Sequence, residues 1–138
     1  MSTQTFTENA ATIASVYDAF VIADIPFIIE KIDDTCSWAA AGEGFLPHGG
    51  TYTGKEAANF FKALDEGLQF TAFNPLAIHN IGNNEVVAFG NMATLSKITG
   101  KPYSSDWTMH WKFNDLGKII YYQDFHNTAA AYAANQPD

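Results

Sequence analysis

The second half of the chain is a run of alternating segments, and residues 104–113, "SSDWTMHWKF", alternate most strictly. In an extended strand, Trp107, Met109, Trp111 and Phe113 point one way and Asp106, Thr108, His110 and Lys112 the other. The flanking segments behave alike. "QFTAFNPLAIHNI" leads through "GNN" into "EVVAFGNMATLSKIT"; "GKP" leads into "YSSDWTMHWKF", and "NDLG" into "KIIYYQDFH". Gly-Asn and Asp-x-Gly turns between alternating runs are hairpin signals, so this half reads as an antiparallel meander.

The first half reads as helices with one short strand. Between Thr7 and Ala23, the residues Ile13, Val16, Tyr17, Phe20 and Val21 recur at helical spacing, and Thr7 supplies a partial capping signal. "ADIP" breaks that helix. Pro26 then opens a short second one ending near Ile32, with Phe27, Ile28, Ile29 and Ile32 as its buried stripe. "TCSWAA" is a short strand and "AGEGFLPHGG" a loop. "YTGKEAANFFKALDEG" turns at Gly54 and continues as a helix that stops at Gly67. "TAAAYAANQPD" reads as one or two helical turns. Helices followed by a curled antiparallel sheet describe one α+β domain over residues 1–138, with an ordered core from about 7 to 134. A strongly curved sheet leaves a cone between itself and the helices.

Composition narrows the function. With 138 residues, 47% of them hydrophobic, the chain is long enough for a real core and too apolar for disorder. Seven lysines face fifteen acids, the net charge is −8, and there is no arginine. That balance argues against nucleic acid, anionic membranes and polyphosphates as partners. The lone Cys36 allows neither an internal disulfide nor a thiolate metal cluster. The start, "MSTQTFTENAAT", lacks the basic and apolar regions of a signal peptide, and no segment reaches the ~20 apolar residues of a membrane span. The expectation is a cytoplasmic protein.

Three stretches, "IDDTCSW", "FLPHGGTYTGKEAANFF" and "GKIIYYQDFHNTAA", resemble in order the SnoaL-like and ketosteroid-isomerase-related families of the nuclear-transport-factor-two-like superfamily. The resemblance runs from about Thr7 to Ala134. It implies a cone-shaped curved antiparallel sheet wrapped on N-terminal helices, with a deep pocket inside. It also implies a homodimer through the outer sheet face and often no cofactor. Members include isomerases, polyketide cyclases, epoxide hydrolases and dehydratases, while others only bind or assemble, so the function rests on the site.

The resemblance places Trp38 and the Trp107, Met109 and Trp111 face toward the cone, as pocket wall or as dry core. His48 and Tyr52 belong to the loop expected at the mouth. His48 is the best candidate for a titrating group and Tyr52 for a phenolic donor; loop exposure and simple packing are the plainer readings. On the last strand the family register turns Tyr121, Gln123, Phe125 and Asn127 inward, and Asn127 stands where many relatives carry a carboxylate. The two inward amides cannot take a proton. Residues 36–41 read Cys-Ser-Trp-Ala-Ala-Ala where the isomerase base falls, and an Asp–Arg–Asp set is impossible without arginine. Asp106, His110, Asp124 and His126 are then outward, with no metal site; a reversed register brings Asp106 and Asp124 inward as a pair.

The expectation is a homodimeric protein that binds a small apolar or aromatic oxygen-bearing metabolite through Trp38, His48, Tyr52, Trp107, Met109, Trp111, Gln123 and Asn127, without cofactor or metal. The alternatives are a cofactor-independent isomerase, cyclase or dehydratase using His48, or a non-catalytic structural module with a filled cone.

Overall fold

The computed structural model describes the backbone of residues 2–138 and the side chains from Glu8 onward. Helix α1 (Ser2–Val21) presents Ile13, Val16, Tyr17 and Phe20 to the core. It begins before the expected start, so Thr7 lies within it, and the Thr7 capping contact falls outside the described side chains. Ala23 ends the segment in a left-handed conformation, φ 60°. The Asp24 carboxylate then accepts from the Phe27 amide at 3.3 Å and caps α2 (Ile25–Glu30), with Pro26 in its first turn. This helix stops short of Ile32, which already pairs with Ile119 in the sheet. Two lysines satisfy carbonyls at its end. Lys55 Nζ donates to the Ile29 and Ile32 oxygens at 2.9 and 2.6 Å, and Lys118 Nζ to the Glu30 oxygen at 2.7 Å.

Strand β1 (Ile32–Ala40) and the short β2 (Gly50–Thr53) follow, joined by the loop 41–49. A single 3₁₀ turn (Gly54–Glu56) opens helix α3 (Ala57–Gly67), whose Ala57, Phe60, Phe61 and Leu64 are buried. Gly54 is required there, because its φ is 57° and a Cβ would lie 2.4 Å from the Asp34 carbonyl oxygen. The meander comprises β3 (Leu68–Gly82), β4 (Glu85–Ser96), β5 (Pro102–Phe113) and β6 (Ile119–Phe125), and α4 (Thr128–Ala134) closes the chain.

The six strands form one open sheet in the order β2-β1-β6-β5-β4-β3. Three register shifts along β3 bend it, each an extra residue that coils the ladder. One pairing departs from the all-antiparallel expectation: β1 runs parallel to β6, because the meander starts at the far edge and its last strand arrives in the β1 direction.

Another shift has larger consequences. Phe113 pairs with Ile119, but Lys112 pairs with Tyr121, Trp111 with Tyr122 and Met109 with Asp124. Ile120 is therefore an extra residue in β6. A plain hairpin counted from Phe113–Ile119 matches Trp111 with Tyr121 and Met109 with Gln123. The bulge reverses the side-chain parity of everything after Ile120, since a one-residue slip exchanges the two faces.

Tyr17 joins the helical layer to the sheet, with ring centroids 5.5–6.1 Å from Phe73, Trp107 and Trp111. Trp107 stacks on Phe73 at 5.2 Å and covers Gly90, where a Cβ would fall 2.3 Å from the indole and 2.4 Å from the Asn74 carbonyl oxygen. The substitution Gly90→Ala is expected to destabilise the protein by about 1–3 kcal/mol through overpacking, read from urea denaturation midpoints; an unchanged midpoint contradicts this placement of Trp107.

Candidate functional site

Between the helices and the concave sheet lies an apolar cavity open at one end. Its empty space, open mouth included, is about 850 Å³, room for one small ring-bearing molecule. The wall contributed by α1, α3 and β3 is mostly hydrocarbon, from Phe20, Phe61, Leu64, Phe70 and Phe73, with the Tyr17 hydroxyl already bonded to Met109 and Trp111.

The opposite wall follows from the sheet register. Deep in the cone Trp38 (β1), Tyr122 (β6) and Trp111 (β5) lie side by side on paired strands. Trp38 stacks on Tyr122 with centroids 4.0 Å apart and planes 20° from parallel. One step toward the mouth comes Met109 with Asp124, and beyond them His126, Tyr103 and Thr94. The loop residue His48 and α4 residues Ala131 and Ala134 complete the rim.

The polar groups are thus gathered on one side. The Asp124 Oδ1 accepts from the Ala41 amide at 2.8 Å, and Oδ2 lies 3.8 Å from His126 Nε2. The Tyr103 hydroxyl is 2.7 Å from His126 Nδ1. With that hydroxyl donating to Nδ1, the imidazole proton sits on Nε2, on the Asp124 side. Burial pushes the Asp124 carboxyl above the usual carboxylate range, although the Ala41 amide and the His126 charge pull the other way. Burial also lowers His126, opposed by the Asp124 charge. His48 is pushed down to about 4 by burial and by neighbouring His126. A carboxylate with raised basicity beside a neutral imidazole, in an apolar cavity, can exchange a proton with a bound molecule.

The expected site residues divide. Trp38, His48, Met109 and Trp111 border the cavity. Trp111 Nε1 donates to the Tyr17 hydroxyl at 3.1 Å, and that hydroxyl donates to the Met109 sulfur at 3.2 Å. Trp107 does not border it: the ring is sealed between Phe73 and Gly90, and Nε1 donates to the Asn91 carbonyl at 3.0 Å. Tyr52 also stands off, its hydroxyl donating to the His48 carbonyl at 2.9 Å and so holding the loop that carries the imidazole.

Gln123 and Asn127 are corrected by the Ile120 bulge. Gln123 shares the outer face with its partner His110 and accepts from the Tyr121 hydroxyl at 2.5 Å. Asn127 caps α4, accepting from the Ala130 amide at 3.1 Å. Tyr121 and Phe125 turn outward with them, and Tyr122, Asp124 and His126 turn inward instead. Asp106 stays exposed, so the Asp106–Asp124 pair does not form.

Asp124, His126, Tyr103 and Thr94 were not among the expected site residues. Both parities of "IIYYQDFH" carry aromatic and polar groups, so alternation alone cannot choose a face. The signal available was the pairing of Tyr122 with the Trp38 and Trp111 rings. Among the described residues no group of three His, Cys, Asp or Glu gathers as a metal site. No helix among them is long and apolar enough to cross a membrane.

No protein-family model matches the chain, and no curated protein does. Solved structures do. A 1.60 Å structure of an NTF2-like protein from Burkholderia thailandensis superposes with a TM-score of 0.82 at 23% identity, covering 94% of this chain and 98% of the other. An NTF2-like protein from Burkholderia xenovorans also gives 0.82, at 19% identity over 94% and 97%. TerC, co-crystallised with polyporic acid, gives 0.77 at 23% identity over 93% and 98%. The chain has the NTF2-like fold, an α+β cone with an unclosed sheet.

The His48 shift predicts a pH dependence with a definite sign. Folded, His48 stays neutral down to about 4, whereas the unfolded chain protonates it near ~6.5. The unfolded state binds more protons in that window, so stability falls as pH drops from about 6.5 to 4. His126 adds to this loss, and the raised Asp124 opposes it at the acid end. Ring-nitrogen NMR is expected to place the His48 midpoint near 4, and His48→Asn to flatten the stability profile; a midpoint near 6.5 contradicts the buried placement.

Proposed function

We propose that the cone binds a small, flat, apolar or aromatic molecule bearing one or two oxygens, and that Asp124 and His126 move a proton on it without a cofactor. The observation that carries this reading is the inward Asp124–His126 pair on the one polar wall of an otherwise hydrocarbon cavity. Aromatic faces supply affinity, and the polar wall fixes the oxygenated edge of the ligand.

In the proposed chemistry a C–H bond beside a ligand carbonyl breaks and its proton passes to the Asp124 carboxylate. The electron pair moves to the carbonyl oxygen, which His126 Nε2–H can meet. Return of the proton to a different carbon gives an isomer; attack of the carbanion on a second carbonyl closes a ring. Burial favours both steps by raising Asp124 and keeping water from the enolate. His48, the titrating group expected from the sequence, is held neutral to about 4 and serves better as a fixed hydrogen-bonding group.

Deuterium exchange at the acidic carbon of 2-tetralone, followed by NMR in heavy water, tests this. The protein is expected to accelerate exchange, and Asp124→Asn to remove at least ~100-fold of the acceleration, within the usual range for general bases. Exchange no faster than in buffer while the ketone is bound contradicts the catalytic reading and leaves a binding protein.

The outer sheet face supports self-association. Phe89 and Phe125 are exposed on either side of Thr108 in paired register, an apolar band across the centre of the sheet. Sedimentation equilibrium is expected to show a dimer that Phe89→Glu converts to monomer; a wild-type monomer at micromolar concentration contradicts the dimer.

A further inference from the structure

We infer that the cone selects uncharged ring molecules with a hydrogen-bond-accepting oxygen, such as ketones and esters, over the corresponding carboxylates, and that the Trp38 indole is the specificity-determining donor. This rests on the reading of the cone as a binding site and adds the charge and polarity of what it takes.

Among the described residues, two buried side-chain polar atoms have no partner: Trp38 Nε1 and Thr94 Oγ1. Their residues are 1% and 2% exposed, and both border the cavity. Leaving a buried donor unsatisfied is costly, and an indole N–H can only donate. Trp38 is enclosed by Phe60, Phe61, Trp111 and Tyr122, none of which accepts from it. Trp111 and Trp107 differ: their N–H groups are committed to Tyr17 and Asn91. The uncommitted indole belongs to the Trp38–Tyr122–Trp111 row that closes the deep end of the cone. An acceptor oxygen on a bound ring answers it, and the Thr94 hydroxyl offers a second donor nearer the mouth.

Charge decides against acids. The chain has no arginine, and none of its seven lysines borders the cavity. The bordering imidazoles, His48 and His126, are both lowered by burial. Asp124 is the one acidic side chain on the wall. A carboxylate ligand would lose its water, gain no cation and face that anion, whereas a ketone carries no charge for Asp124 to repel and its oxygen can accept from the donors on the same wall.

Equilibrium dialysis with three probes of one ring system tests this: 2-acetonaphthone, 2-naphthoate and naphthalene at pH 8. The ketone is expected to bind at least ~10-fold more tightly than the carboxylate, and Asp124→Asn to narrow that gap. Trp38→Phe is expected to weaken the ketone ~5- to 10-fold while leaving naphthalene within about twofold, as loss of one donor does. Naphthoate binding as tightly as the ketone overturns the charge selection; equal weakening of ketone and naphthalene overturns the role of Trp38. The wild-type comparison stands even if Trp38→Phe misfolds. If none of the three binds, the binding-site reading falls and this inference with it.

Discussion

One extra residue in the last strand decides what this cavity contains. Ile119 and Tyr122 both point inward, which a regular strand does not permit, and Ile120 absorbs the difference as a bulge. Without it the cone would hold Gln123 and a tyrosine, amide and phenol, with no group that titrates near neutrality. With it, a carboxylate and an imidazole enter a cavity otherwise walled by rings. The bulge is held on both sides: the buried Ile119 donates its amide N–H to the carbonyl of Lys31, just past α2, at 2.8 Å, and Tyr122 is clamped between Trp38 and Trp111.

Packing and chemistry are coupled through those rings. The Trp38–Tyr122–Trp111 row closes the deep end of the cone and makes the surroundings of Asp124 apolar enough to raise its carboxyl. A separate small cluster of Leu46, Tyr103 and Ala131 joins the 41–49 loop to α4 at the mouth. Tyr103 belongs to both systems, since its ring packs in that cluster and its hydroxyl holds His126. The position of the imidazole therefore depends on the order of the rim.

Most of the fold was legible in the sequence, because period-two alternation and turn chemistry are local. The meander, the Pro26 helix start and the Gly54 turn follow from spacing and turn chemistry, whereas the inward face of Trp111 was what the family resemblance implied. The parallel β1–β6 pairing was not legible, since it depends on where the meander closes. The site was half legible. Trp38, Trp111, Met109 and His48 border the cavity, but the faces of Gln123, Asn127, Asp124 and His126 were exchanged. Alternation within "KIIYYQDFH" does not reveal the bulge, because both of its parities carry aromatic and polar residues. Trp107 and Tyr52 show a different limit: both belong to the right element, and only their neighbours, Gly90 and the His48 carbonyl, show that they support the cavity without bordering it.

The most direct test of this account is a crystal structure grown with 2-tetralone. The account predicts the ring between the Phe61–Phe73 wall and the sheet, with its oxygenated edge within hydrogen-bonding reach of the Asp124 and His126 side chains. Density for the ketone elsewhere, or a last strand in which Gln123 and Asn127 face the cone, would contradict it.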